Sequence, residues 1–90
     1  MSRYDESANR LEKMRALPNL PEVSRTMAGL FLAMDRVHQK RLAEAKKLLA
    51  EAEAELAAAD KRFAEGIWLN RAQCYAVLPE VRKAISDAEK

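Results

Sequence analysis

The chain has 90 residues, room for one compact unit, and a unit this small buries a lesser share of its surface than a larger one. Its 16 Lys and Arg stand against 14 Asp and Glu, so the net charge of +2 is too small to make the whole molecule an attractor of polyanions. A single cysteine, Cys74, excludes an intramolecular disulfide, which leaves helix packing or self-association to supply stability. The longest apolar run, Met27 to Met34, is too short to span a bilayer and too far from the N-terminus for a secretory leader, so a cytoplasmic protein with no membrane role is expected.

With two glycines and three prolines among abundant Ala, Leu, Glu, Lys and Arg, the predicted class is all-α, a single helical domain over residues 1–90. The first helical segment opens at Ser2, a fitting N-cap with Asp5 three positions on, and places Tyr4, Ala8, Leu11 and Met14 on one face. It ends before Pro18. In the connector Leu17-Pro18-Asn19-Leu20-Pro21 each proline restrains the residue before it, and Pro21 with Glu22 suits the first turn of a second helix.

That second helix meets no breaker until Gly66 and is predicted to run from about 22 to 65, a rod of ~60 Å. Gly29 inside it costs ~1 kcal/mol relative to Ala without stopping it. Gly66 is placed to end it in the left-handed conformation and reverse the chain. The third segment, Ile67 to Lys90, sets Cys74, Leu78, Val81, Ile85 and Ala88 on one face. Pro79 is expected to kink it or to begin a new helix, since Leu78-Pro79-Glu80-Val81 repeats Leu20-Pro21-Glu22-Val23. The predicted architecture is one long central helix with shorter N- and C-terminal helices folded back antiparallel, a coiled-coil-like hairpin bundle.

An apolar seam runs along the predicted rod through Met27, Phe31, Met34 and His38, and becomes strict from Leu42 onward. Leu42, Leu49, Leu56 and Phe63 recur every seven residues, as do Ala45, Ala52 and Ala59, a pattern for left-handed supercoiling with a closely approaching partner. Leu30, Val37 and Leu48 form a second stripe beside it. Two partners fit the seam: an antiparallel second copy crossing at Leu49, or the chain's own third segment, which a hairpin at Gly66 would bring back with Arg82 and Lys83 towards Glu51.

The sole histidine, His38, lies on the apolar stripe and reads as a packed edge residue, and Cys74 as a small buried hydrophobe. No catalytic, cofactor-binding or metal-ligating residues are nominated, because no convergent polar set, phosphate loop or ligand spacing is present. Phe63, Glu65, Gly66 and Leu69, followed by Cys74, resemble the helical hairpin of the exonuclease VII small subunit over that turn alone. The cysteine is one position out of register, and no function is carried across.

The expected function is a non-enzymatic protein–protein interaction module: an adaptor, chaperone-like or inhibitor protein of bacterial or phage type that presents an apolar helical face to a protein partner or to a second copy of itself. Leu30, Val37, Leu42, Ala45, Leu48, Leu49, Ala52 and Leu56 are the expected interface, with Tyr4 and Tyr75 as aromatic anchors. The alternative is a nucleic-acid accessory using Arg36, Lys40, Arg41 and Lys47.

Overall fold

The computed structural model of the protein describes residues 3–62 and 68–90, which form four helices: α1 (Arg3–Arg15), α2 (Glu22–His38), α3 (Leu42–Arg62) and α4 (Trp68–Glu89). The all-α class and the proline-bounded connector stand as predicted. α1 ends at Arg15 ahead of Pro18, and Pro21 is the residue that precedes α2. The single long helix over 22–65 does not stand: it is two helices, parted at Gln39, Lys40 and Arg41.

Backbone geometry explains the break. Lys40 has φ 63°, in the left-handed region. The Lys40 N–H donates to the Val37 carbonyl at 3.0 Å and the Arg41 N–H to the Arg36 carbonyl at 2.8 Å, the paired bonds that close a helix C-terminus after a left-handed residue. Glycine usually takes that position because it has no Cβ to strain, whereas a residue with a side chain there costs ~1–2 kcal/mol. Sequence punctuation was therefore silent at the point where the chain turns. The Arg41 carbonyl then accepts from the Ala45 N–H at 3.1 Å, and α3 begins.

Side-chain contacts fix the helix directions. Thr26 Oγ1 donates to Glu55 Oε2 at 2.5 Å, so α3 returns antiparallel along α2. Glu12 pairs with Arg36, and Asp5 accepts from Gln39 Nε2 at 2.6 Å, so α1 is antiparallel to α2 as well. α4 lies antiparallel to α3, joined by Arg82–Glu53 at 3.0 Å and Lys46–Glu89 at 2.8 Å. It therefore runs parallel to α2, with Cys74 Sγ 3.8 Å from the Val23 carbonyl oxygen.

α2 touches each of the other three helices, and the core forms where it meets α3 and α4. Leu30 and Ala33 of α2, Ala45, Ala52 and Leu56 of α3, and Cys74, Leu78, Val81 and Ile85 of α4 are buried there together. The alanines expected to permit close approach do so, with Ala33, Ala45 and Ala52 at zero exposure. The approach is within the chain. Folding the rod in two gives principal extents of 39 × 29 × 18 Å where an unbroken helix alone would reach ~60 Å.

α4 also departs from expectation, because Pro79 sits inside a continuous helix rather than splitting or starting one. The proline is exposed, while Cys74, Leu78, Val81 and Ile85 bury the opposite face and hold the helix on both sides of it. The expected reversal at Gly66, the seam residue Phe63 and the side chain of Trp68 lie outside the described residues. No helix of the described residues is long and apolar enough to cross a membrane.

The strained turn makes a direct stability prediction. Lys40→Gly is expected to stabilise the protein by about 1 kcal/mol through relief of the left-handed conformation, and Lys40→Val to destabilise it by a similar amount, both read from urea unfolding midpoints. A glycine variant that unfolds at lower urea would contradict the geometry.

Candidate functional site

The residues nominated from the seam are mostly used inside the chain. Leu30, Ala45, Ala52 and Leu56 are core, and Val37, Leu42, Leu48 and Leu49 pack against it half-buried. Tyr4 is partly exposed at 39%, its ring stacked on His38 with centroids 4.2 Å apart and planes 13° from parallel. Tyr75, 43% exposed, stands on the outer side of α4. The structure does not gather these residues into one free surface.

A different apolar surface is left open. Among the described residues α1 and α4 both pack on α2 but not on one another, so a groove runs between them along α2 with a cavity of about 330 Å³. Leu11 and Met14 form the α1 wall and Gln73 contributes from α4. The floor is α2: Val23, Ser24, Met27, Ala28 and Phe31. These positions on α2 follow helical spacing, 24, 27, 28 and 31, which is one face. Phe31 is 46% exposed and Met14 39% exposed, so large apolar side chains sit in solvent at the mouth of an apolar channel.

By sequence spacing Met27 and Phe31 fall on the same seam as Leu42 and Leu49. That holds only for an unbroken helix. The turn at Lys40 separates them, and the signal that was available was the face 4, 8, 11, 14 of the first helix, whose Leu11 and Met14 now border the groove.

On the other side of α1 the surface is ionic. Arg36 is buried, and its guanidinium pairs with Glu12 of α1 and with Glu44 of α3 at 3.1 Å while donating to Gln39 Oε1 at 2.8 Å. Arg15 reaches Glu51 at 3.6 Å, and its guanidinium lies 3.6 Å from where a Cβ on Gly29 would stand, in the shallow place that glycine leaves on α2. A cavity of about 240 Å³ lies among Arg15, Arg36, Glu44, Lys47 and Glu51. Its positive charge is largely matched by carboxylates, an arrangement that ties three helices together. Of the basic residues in the nucleic-acid alternative, Arg36 and Arg41 are paired with Glu44, the latter at 2.6 Å, while Lys40 and Lys47 are exposed.

Cys74 is buried as expected. Burial pushes its thiol above the ordinary value of 9.0, and the Glu55 carboxylate adds to the shift. The folded state therefore holds this proton more tightly than the unfolded chain. The stability involved is fully present below 9.0 and is lost as pH rises from there through the raised folded value. Cys74→Ala is expected to flatten the alkaline decline of stability relative to the parent protein, and superimposable pH profiles would contradict this.

Neighbouring residues on α2 should respond in opposite ways to truncation. Leu30, at 0% exposure, is expected to cost about 2–5 kcal/mol as Leu30→Ala, whereas Phe31→Ser, at 46% exposure, should cost less than about 1.5 kcal/mol; chemical denaturation of both variants checks this. Equal losses would mean that the groove is closed. No protein-family model matches the chain, and neither the curated proteins nor the solved structures contain a match to it.

Proposed function

We propose that the protein is a non-enzymatic interaction module and that the groove between α1 and α4 is the surface it offers to a protein. The observation that carries this reading is the exposure of Phe31 and Met14 over a channel whose lining is apolar apart from Ser24 and Gln73. Burying such side chains is worth ~25 cal/mol per Å² of apolar surface removed from water, and the two flanking helices have already ordered the floor and one wall. Methionine adds tolerance, because Met14 and Met27 are unbranched and adapt to the shape of what they meet.

A helix face suits a groove between helices better than an extended strand does. The floor positions 24, 27, 28 and 31 repeat at helical spacing, which the face of an amphipathic helix can match, and α2 offers no free backbone edge for strand addition. The module reading belongs with adaptor, chaperone-like or inhibitor roles, in which one surface holds another protein without chemistry.

A photo-crosslinking amino acid at position 31, compared with the same residue at exposed position 47 on the ionic side, tests the reading in the cells that make the protein. Adducts to protein are expected at position 31 at several-fold the yield at position 47. Equal yields, or none at position 31, would count against the groove as a docking surface.

A further inference from the structure

We propose that the groove is covered by the same face of a second copy, in a two-fold dimer whose axis runs along the helices so that Arg10 of each copy faces Asp87 of the other. This rests on the reading of the groove as a protein-docking surface and names its occupant. The seam on α2 and α3 offers less to a second copy, since Leu30, Ala45, Ala52 and Leu56 are core and Val37, Leu42, Leu48 and Leu49 pack half-buried against it.

The two walls carry mixed charges, Arg3, Glu6 and Arg10 on α1 and Glu80, Lys83 and Asp87 on α4, with Arg10 and Asp87 as a pair of opposite sign. On α1, Arg10 stands four residues before Met14, adjacent to it on the helix surface, and Arg3 lies seven residues before Arg10. On α4, Gln73 lines the groove and Glu80 and Asp87 follow at seven-residue intervals along the same stripe. All six are exposed, and none makes an ion pair among the described residues. Among the described residues Arg15, Arg36, Arg41, Lys46 and Arg82 have carboxylate partners within the chain, whereas Arg10 and Asp87 are left to pair outside it.

The heights of these charges follow from contacts with α2. Glu12 against Arg36 and Asp5 against Gln39, on antiparallel helices, set Arg10 opposite a point between positions 34 and 38. Cys74 lies against Val23, and thirteen residues further along each of these parallel helices Asp87 comes opposite Arg36. At 1.5 Å per residue, Arg10 and Asp87 therefore stand within about 3 Å of the same height on opposite walls.

Two face-to-face arrangements are open to identical grooves. An axis across the helices lays α1 on α1 and α4 on α4, which keeps Arg10 of one copy away from Asp87 of the other. An axis along the helices lays α1 of each copy on α4 of its mate, preserves the height of each charge, and gives two Arg10–Asp87 pairs flanking the exposed Phe31 and Met14 side chains. A foreign helix carrying one sign of charge on its flanks would be attracted by one of Arg10 and Asp87 and repelled by the other. A second copy brings both signs in the matching order.

Light scattering and sedimentation equilibrium of the full chain test this. The expected mass is twice 10.2 kDa, falling to 10.2 kDa for Phe31→Asp with helix content unchanged by circular dichroism. Arg10→Asp and Asp87→Arg should each weaken the dimer at least about tenfold, and the combined exchange should restore it to within about threefold of the parent. A parent protein of 10.2 kDa throughout, or a combined exchange no better than either single change, would overturn the dimer. Crosslinking at position 31 separates the two readings. Adducts between copies support both, adducts to another protein from a monomeric parent overturn self-pairing alone, and no adducts overturn both.

Discussion

The left-handed turn at Lys40 governs the rest of the structure, because it decides what the leucine-and-alanine seam faces. With the turn in place, α3 returns along α2, and Ala45, Ala52 and Leu56 are buried against Leu30 and Ala33 of the same chain. Without it the same residues would line a rod needing an external partner. The strain of ~1–2 kcal/mol at one backbone position is small beside a core in which each large apolar side chain contributes about 1.5–3 kcal/mol. Two carbonyls of the last turn of α2 are satisfied by the turn's own N–H groups, so the reversal leaves little polar cost behind.

The groove is a consequence of how the other two helices use α2. α4 joins the core through four buried residues, Cys74, Leu78, Val81 and Ile85, whereas α1 buries fully only Ala8 and relies on Glu12, Asp5 and Arg15 for its charged and hydrogen-bonded contacts. Arg15 Nε and Asp35 Oδ2 are buried without a hydrogen-bond partner, and such groups cost ~1–3 kcal/mol each. α1 is thus the more weakly attached of the two walls. The proposed docking surface lies between two walls that are held unequally.

Legibility in the sequence followed the strength of the local signals. Pro18 and Pro21 announced the α1–α2 connector, and four-three spacing announced the inward face of α4, because restricted backbone angles and a buried helical face leave marks that do not depend on the rest of the fold. The turn at Lys40 left no such mark. Val37-His38-Gln39-Lys40-Arg41-Leu42 contains no glycine, proline or asparagine, and the apolar spacing continues across it. At Pro79 the new helix start suggested by the repeated Leu-Pro-Glu-Val does not occur, because burial on either side of the proline carries α4 through it. The seam residues were correctly read as demanding cover, but the groove was hidden, since Leu11, Met14, Phe31 and Gln73 come together only through tertiary packing.

The most direct test of the account is the distance between spin labels at positions 24 and 57, which lie symmetrically about the turn on α2 and α3. Neighbouring antiparallel helices have axes 8–10 Å apart, so pulsed electron paramagnetic resonance on isolated doubly labelled chains, diluted with unlabelled protein, should give a distribution centred below about 25 Å. A continuous helix would place the labelled positions about 50 Å apart at 1.5 Å per residue. A peak near that longer value would contradict the folded-back hairpin on which the core, the groove and its proposed occupant all depend.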